Sequence, residues 1–282
     1  MRNMDRRLVT ILLIVFVQLL GASMILPILP LYASRQFAIS PEIITLLVSS
    51  FFAAQFFAGP FLGRWSDRSG RLPVLIISQI GTTVSFLMLA FAPNIGWLFA
   101  ARILDGITGG NIVVAQAYIT DIAPKEKRTE YLGYIFGAFG LGFIFCPALG
   151  GILSAAYGVT LPFIVAAVAA GITVLITWFT LDETLTDEQK ENNRNFNKQG
   201  IGMSDIFSNV PLLMVLIIAF IAQFGCGLLQ STFALYGDAV LFAGASEETV
   251  NLGVGLLLTA VGVTQFSVQT LLLRRLLKVL DE

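Results

Sequence analysis

The sequence has no histidine, and Asp, Glu, Lys and Arg together make up only 12% of its 282 residues. Without imidazole there is no His-bearing metal site, no Ser-His or Cys-His nucleophilic pair and no H-E-x-x-H zinc helix. The charge content is about half that of an average soluble domain, which excludes an ordinary water-soluble globule. Seventeen basic and 18 acidic residues leave a net charge of -1, so no global basic field exists to attract nucleic acid. The two cysteines, Cys146 and Cys226, each lie inside an apolar run and read as small buried hydrophobes. Neither a cofactor nor a metal is expected.

What the chain has in abundance is long apolar runs, with hydrophobic residues at 56%. A spanning helix needs about 20 of them. Eight segments fit that template: Leu8 to Tyr32, Ile43 to Leu62, Pro73 to Phe91, Trp97 to Ile119, Tyr131 to Leu153, Leu161 to Leu181, Pro211 to Leu235 and Val250 to Leu272. The first follows a basic start, but it exceeds the roughly 7 to 15 apolar residues of a secretory signal and is read as a retained membrane helix.

One long polar interruption, Asp182 to Asn209, is rich in charges and amides and reads as a solvated linker with a single amphipathic turn. It divides six segments from two. Ser208 or Asn209, followed by Pro211, is a helix-start signal for the seventh segment. The expected organisation is an amino-terminal six-helix bundle over 1-181, a cytoplasmic linker over 182-209, and the first two helices of a second bundle over 210-282. All of the 17 Lys and Arg except Arg35 and Arg102 fall on one side of the membrane under this assignment. Cationic loops stay cytoplasmic, so both termini are expected there. A faint echo at a shift of 210 residues, with Gln55-Phe56 matching Gln265-Phe266 and Arg64 matching Arg274, suggests that segments seven and eight open a second repeat.

Four local patterns carry chemistry. Gly63-Arg64-Trp65-Ser66-Asp67-Arg68-Ser69-Gly70-Arg71 reads as a tight cationic turn between segments two and three. The first segment ends in Leu26-Pro27-Ile28-Leu29-Pro30-Leu31-Tyr32. The fourth contains Arg102-Ile103-Leu104-Asp105-Gly106 and the fifth Gly142-Phe143-Ile144-Phe145-Cys146-Pro147-Ala148-Leu149-Gly150-Gly151.

Charges inside lipid are expensive and face a cavity or a partner. At helical spacing Arg102, Asp105, Gly109, Gln116 and Thr120 share one stripe, which is expected to line a cavity, whereas Asn111 points the opposite way. Asp105, three residues beyond Arg102, can pair with it, either as a static closure or as a proton switch that frees the arginine when the carboxylate is neutralised. Gln18, Tyr32, Gln223 and Gln230 are polar positions within spans, open to interhelical hydrogen bonding or to cavity contact. Asp121 lies at the level of Arg68 and Arg71 and can bridge to them. The glycines of the fifth segment allow close helix approach, and Pro147 removes a backbone hydrogen bond there.

In order and position these patterns resemble those of the major facilitator superfamily, and most nearly its drug:proton antiporters, the tetracycline and multidrug exporters. Gly63, Asp67, Arg68, Gly70 and Arg71 match the G-x-x-x-D-R-x-G-R loop, with Asp121 implied as its conformational latch partner. Arg102 matches an R-x-x-x-G helix implied in proton coupling. Gly142, Pro147, Gly150 and Gly151 match the antiporter helix, with Cys146 where glycine is usual. Some relatives carry an acidic residue near the position of Gln18, and its absence shifts weight onto Asp105. The resemblance implies an all-α, polytopic membrane protein and proton-coupled efflux of small hydrophobic molecules, with no enzymatic activity and no cofactor. The implied partners are substrate, protons and the lipid bilayer. On the family pattern the chain stops after the eighth helix. The alternative is a truncated or non-transporting eight-helix protein that needs another chain.

Overall fold

In the computed structural model, residues 6–196 and 208–267 are described. Among them the chain is helical, without strands: α1 (Arg6–Phe37), α2 (Pro41–Ser69), α3 (Arg71–Ala90), α4 (Ile95–Gly109), α5 (Asn111–Ile122), α6 (Arg128–Tyr157), α7 (Thr160–Thr180), α8 (Asp187–Phe196), α9 (Val210–Tyr236) and α10 (Glu247–Ser267). Six stretches within α1 to α7 are long and apolar enough to cross a membrane, with α4 and α5 forming one of them. Each of the eight expected segments is a helix over its described residues, with 268–272 of the eighth outside them, but the fourth is interrupted at Gly110.

Helix starts follow local chemistry. Asn94 accepts a hydrogen bond from Trp97 N at 3.0 Å, and Asn209 accepts from Leu212 N at 3.2 Å, as the seventh-segment signal suggests. Pro41 and Pro211 sit in first turns, where a missing N–H leaves no bond unmade. The supposed turn at Gly63–Arg71 is a correction to the sequence reading. Nothing between Arg64 and Ser69 breaks a helix, so α2 continues to Ser69 and Gly70 alone makes the corner, at φ +108°. The linker also carries more order than expected. Its α8 helix lies on α2, with Asn193 Nδ2 donating to Asp67 O at 3.3 Å.

The bundle core forms two apolar tiers. One gathers Met24, Ile28, Leu47, Phe86, Leu98 and Phe163 at the end that bears Arg35. The other gathers Leu8, Ile11, Leu62, Leu75, Tyr118 and Ile135 at the end that bears Gly70. Between the tiers nearly every helix contributes polar residues: Ser23, Gln55, Thr82, Arg102, Asp105, Asn111 and Thr177 lie in this middle layer. Large apolar side chains such as Phe56, Phe57, Trp178 and Phe179 point outward, as expected of a lipid-facing surface.

Helices α9 and α10 meet the bundle near the Arg35 end. Leu31 packs with Ala234, Val250 and Val254. Asn251 Nδ2 donates to Ser154 Oγ at 3.1 Å. Along this seam a side chain at Gly151 would stand 2.6 Å from Asn251 O, and one at Gly255 would stand 2.6 Å from Pro147 O. Toward the Gly70 end, Gly133 and Gly137 of α6 have no atom of the described residues within 4 Å of an added Cβ, and the first half of α9 is largely exposed. Replacing Gly151 by valine is expected to force α6 and α10 apart. Overpacking of this kind costs about 1–3 kcal/mol, and a lower thermal unfolding temperature in detergent is the check; an unchanged one would mean that the seam carries no stability.

Candidate functional site

The middle layer holds the deepest charges. Arg102 Nη1 and Asp105 Oδ2 pair at 2.9 Å, with the residues 6% and 1% exposed. The guanidinium lies over the Phe51 ring, 4.3 Å from its centroid, a cation–π contact strengthened by the dry surroundings. The pair is not saturated: among the described residues Arg102 Nε and Asp105 Oδ1 have no hydrogen-bond partner of good geometry, although the Ser85 hydroxyl faces the carboxylate. A buried pair with unused donor and acceptor atoms gives weak support to the fold. It is, however, an arrangement that can be opened.

Gln18 is buried on α1, and its Oε1 accepts from Asn111 Nδ2 at 3.3 Å. Asn111 is 2% exposed, contrary to the expectation that it faces away from the functional stripe. The cause is the break at Gly110, with φ -64° and ψ -2°, which changes the helical phase. The buried face of α5 therefore carries Asn111, Val114, Ala115, Tyr118 and Ile119. Gln116 and Thr120 are only half-buried, and Thr120 Oγ1 bonds back to Gln116 O. Gln55 braces the break by donating to Gly109 O at 3.0 Å. Tyr32 sits in the Arg35-end tier, its ring against Phe37 and Phe163. Gln223 and Gln230 lie on α9, but their side chains are outside the described residues, as is that of Pro27.

At the Gly70 end a second cluster forms around Arg71, which is buried. Its Nη1 meets Asp67 Oδ1 at 2.6 Å and Ser66 Oγ at 2.7 Å, while its Nε meets Asp121 Oδ2 at 3.1 Å. The expected bridge from Asp121 is therefore made by Arg71. Arg68 is exposed on the last turn of α2, and Gly63 lies inside that helix, where a side chain would meet only Val113 at 3.7 Å.

Glu183, part of the Leu181–Leu185 exit that resembles the exporters but given no partner from the sequence, completes the cluster. Its carboxylate accepts from the backbone N–H groups of Arg71, Leu72, Thr184 and Leu185 at 2.9–3.3 Å. An anion placed on the first N–H groups of α3 satisfies orphan donors and complements the helix dipole. Thr184 Oγ1 adds a bond to Asp121 at 3.1 Å, and Asp182 pairs with Arg7 at 2.8 Å. The α2–α3 corner, the end of α5 and the exit of α7 are thereby held together. Their sequence distance, more than a hundred residues from Arg71 to Glu183, hides this cluster from local pattern reading.

The glycines of α6 divide their contacts. Gly142 and Gly150 lie on α1, beside Leu19 and Met24, whereas Gly151 and Pro147 face α10. At the opposite end from Gly70, Arg35 bridges to Asp238 at 2.9 Å and to Glu247 at 3.6 Å, fastening α1 to the π turn at Gly237–Leu241 and to the start of α10. These ion pairs are partly wet and worth about 1 kcal/mol or less each, suited to being broken and remade. Arg35→Ala is expected to leave the fold intact and raise severalfold the maleimide labelling of a cysteine placed at Leu31, in a background lacking Cys146 and Cys226. Equal labelling with and without Arg35 would show that the bridges hold nothing shut.

Two tiers of core, a polar middle layer and a small-residue seam joining a six-helix bundle to two further helices define a polytopic carrier-type membrane fold. The sequence matches the family model of the Major Facilitator Superfamily over residues 11–280. The chain belongs to that superfamily. It is 33% identical to the class E tetracycline resistance protein of Escherichia coli, over 83% of this chain and 58% of that protein. It is 30% identical to multidrug resistance protein 2 of Bacillus subtilis, over 79% of this chain and 56% of that one. The chain thus spans less than three fifths of these relatives' lengths. Among solved structures, the human organic anion transporter MFSD10 superposes with a TM-score of 0.70 at 21% identity, covering 96% of this chain and 72% of that one. A D-xylose-proton symporter does so at 0.73 and 16%, covering 98% and 70%. At these identities the structural likeness speaks for the fold alone.

Proposed function

We propose that the chain works in proton-coupled efflux of hydrophobic, drug-like small molecules by alternating access. Its place is the cell membrane, with both termini cytoplasmic, the bundle over 1-181, the linker over 182-209, and the start of a second bundle over 210-282. The observation that carries this reading is the Arg102–Asp105 pair, buried in the middle layer yet with an atom on each partner that no described residue hydrogen-bonds. Neutralising Asp105 releases the guanidinium to another acceptor, so a proton and a rearrangement are linked at one point. The relatives named for tetracycline and multidrug resistance support a drug-like cargo.

In this orientation the Arg35 end, where Arg35 bridges to Asp238 and Glu247, faces outward and the Gly70 end faces the cytoplasm. Rocking about the α6–α10 seam would open one end while closing the other. The exposed apolar face of α9 is to be covered by further helices of the family pattern or by another chain.

The test is transport in everted vesicles containing the complete gene product, with tetracycline and a lipophilic dye as cargoes. A pH gradient is expected to drive uptake of at least one cargo, and its collapse to stop it. Uptake indifferent to the gradient would remove proton coupling. Asp105→Asn fixes the neutral state, so its uptake is expected to lose its dependence on pH. An unaltered pH profile would mark the pair as static.

A further inference from the structure

The middle layer contains a polar feature that the Arg102–Asp105 pair does not explain. On α3, Ser78, Gln79, Thr82 and Ser85 recur at helical spacing and are all nearly fully buried, on the side packed against α4 and α7. Thr82 Oγ1 and Thr108 Oγ1 lie 3.2 Å apart, and the Ser85 hydroxyl faces the Asp105 carboxylate. At the other end Thr177 Oγ1 donates to Gln79 Oε1 at 3.0 Å. Hydroxyls and an amide therefore line about 10 Å of helix, at 1.5 Å per residue, running away from Asp105.

Ordinary interhelical bonding does not use up this line. Among the described residues Ser78 Oγ and Gln79 Nε2 have no hydrogen-bond partner, as Asp105 Oδ1 has none. Whichever way the Gln79 amide is turned, one of its polar atoms stays unpaired. Leaving such groups dry costs about 1–3 kcal/mol each, and buried polar groups without protein partners are characteristically satisfied by internal water. Along α3 the line is flanked by Val74 and Leu75 before it and Phe86 and Leu89 after it, all fully buried.

We propose that the buried polar face of α3 between Ser78 and Ser85 binds a short file of internal water that solvates Asp105 and serves as its proton relay. A hydronium entering the file hands its proton to the next water, and the last water passes one proton to the Asp105 carboxylate, which becomes neutral. Every water ends as water, and Arg102 keeps its charge but loses its counter-ion. The transport role rests on the proton-coupling reading above; the hydration does not.

The experiment is infrared difference spectroscopy of the complete protein in lipid nanodiscs, recorded across an acid–base jump in ordinary and oxygen-18 water. The expected result is an ordered-water O–H band that shifts with oxygen-18, is lost in Ser78→Val/Gln79→Leu, and is kept in Ser78→Thr. Should the double variant fail to insert, Ser78→Ala and Thr82→Val are each expected to reduce the band. Absence of any isotope-sensitive band in the wild-type protein overturns the inference, as does a band that these substitutions leave unchanged. Export without proton movement, with the band intact, would end the coupling reading alone. Coupled export without the band would end the hydration inference alone.

Discussion

Gly70→Ala is expected to unfasten the Gly70 end of the bundle and to lower stability by about 3 kcal/mol or more. Two independent penalties add at this position. The backbone conformation, φ +108° and ψ 155°, belongs to a region that is essentially glycine-only and costs a side-chain-bearing residue about 1–3 kcal/mol. The added Cβ would also collide with Glu183 Oε2. Glu183 would have to leave the N–H groups of Arg71 and Leu72, and charge-assisted bonds of that kind are worth about 1.5–3 kcal/mol. Gly158, at φ +88° with open space around it, provides the control. Gly158→Ala meets only the backbone penalty, so thermal unfolding in detergent should rank it clearly above Gly70→Ala. Equal losses would show that Glu183 contributes nothing to the corner.

Arg102→Ala is expected to cost about 3–5 kcal/mol, the price of an uncompensated buried carboxylate. It should also abolish proton-coupled export in the complete protein. A fold defect and a coupling defect look alike in such a variant, and the paired substitution Arg102→Met/Asp105→Leu separates them. Replacing both partners by apolar residues of similar volume is often neutral or stabilising, so the double variant should regain most of the lost stability. Its export should remain uncoupled. Recovery of both stability and coupling would mean that the pair only fills space.

The legibility of this protein in its sequence follows the range of the interactions. The positions of the apolar helices, the cap at Asn209, the packing role of Gly150 and Gly151, and the bridge from Asp121 to the α2–α3 corner depend on residues close in sequence or on helical periodicity. The corner itself was harder. Glycine and three arginines read as a loop, but Ser66, Asp67 and Arg68 complete a last helical turn. The middle layer shows a different limit. One helical phase carried through Gly109-Gly110 put Asn111 on the wrong face, because a two-glycine break resets the phase by an amount that periodicity does not contain. Glu183, Asp182 and Asn251 act through partners more than ninety residues away. No local pattern marks a carboxylate as the cap of a distant helix.

The most direct test of the account is the coupling of drug movement to proton movement at Arg102 and Asp105. The complete gene product and its Arg102→Met/Asp105→Leu variant would be reconstituted in liposomes carrying a pH-sensitive dye, and an imposed drug gradient would drive transport. The account predicts drug-driven proton flux in the wild-type protein and none in a variant of normal thermal stability. Equal proton flux in both proteins would contradict it.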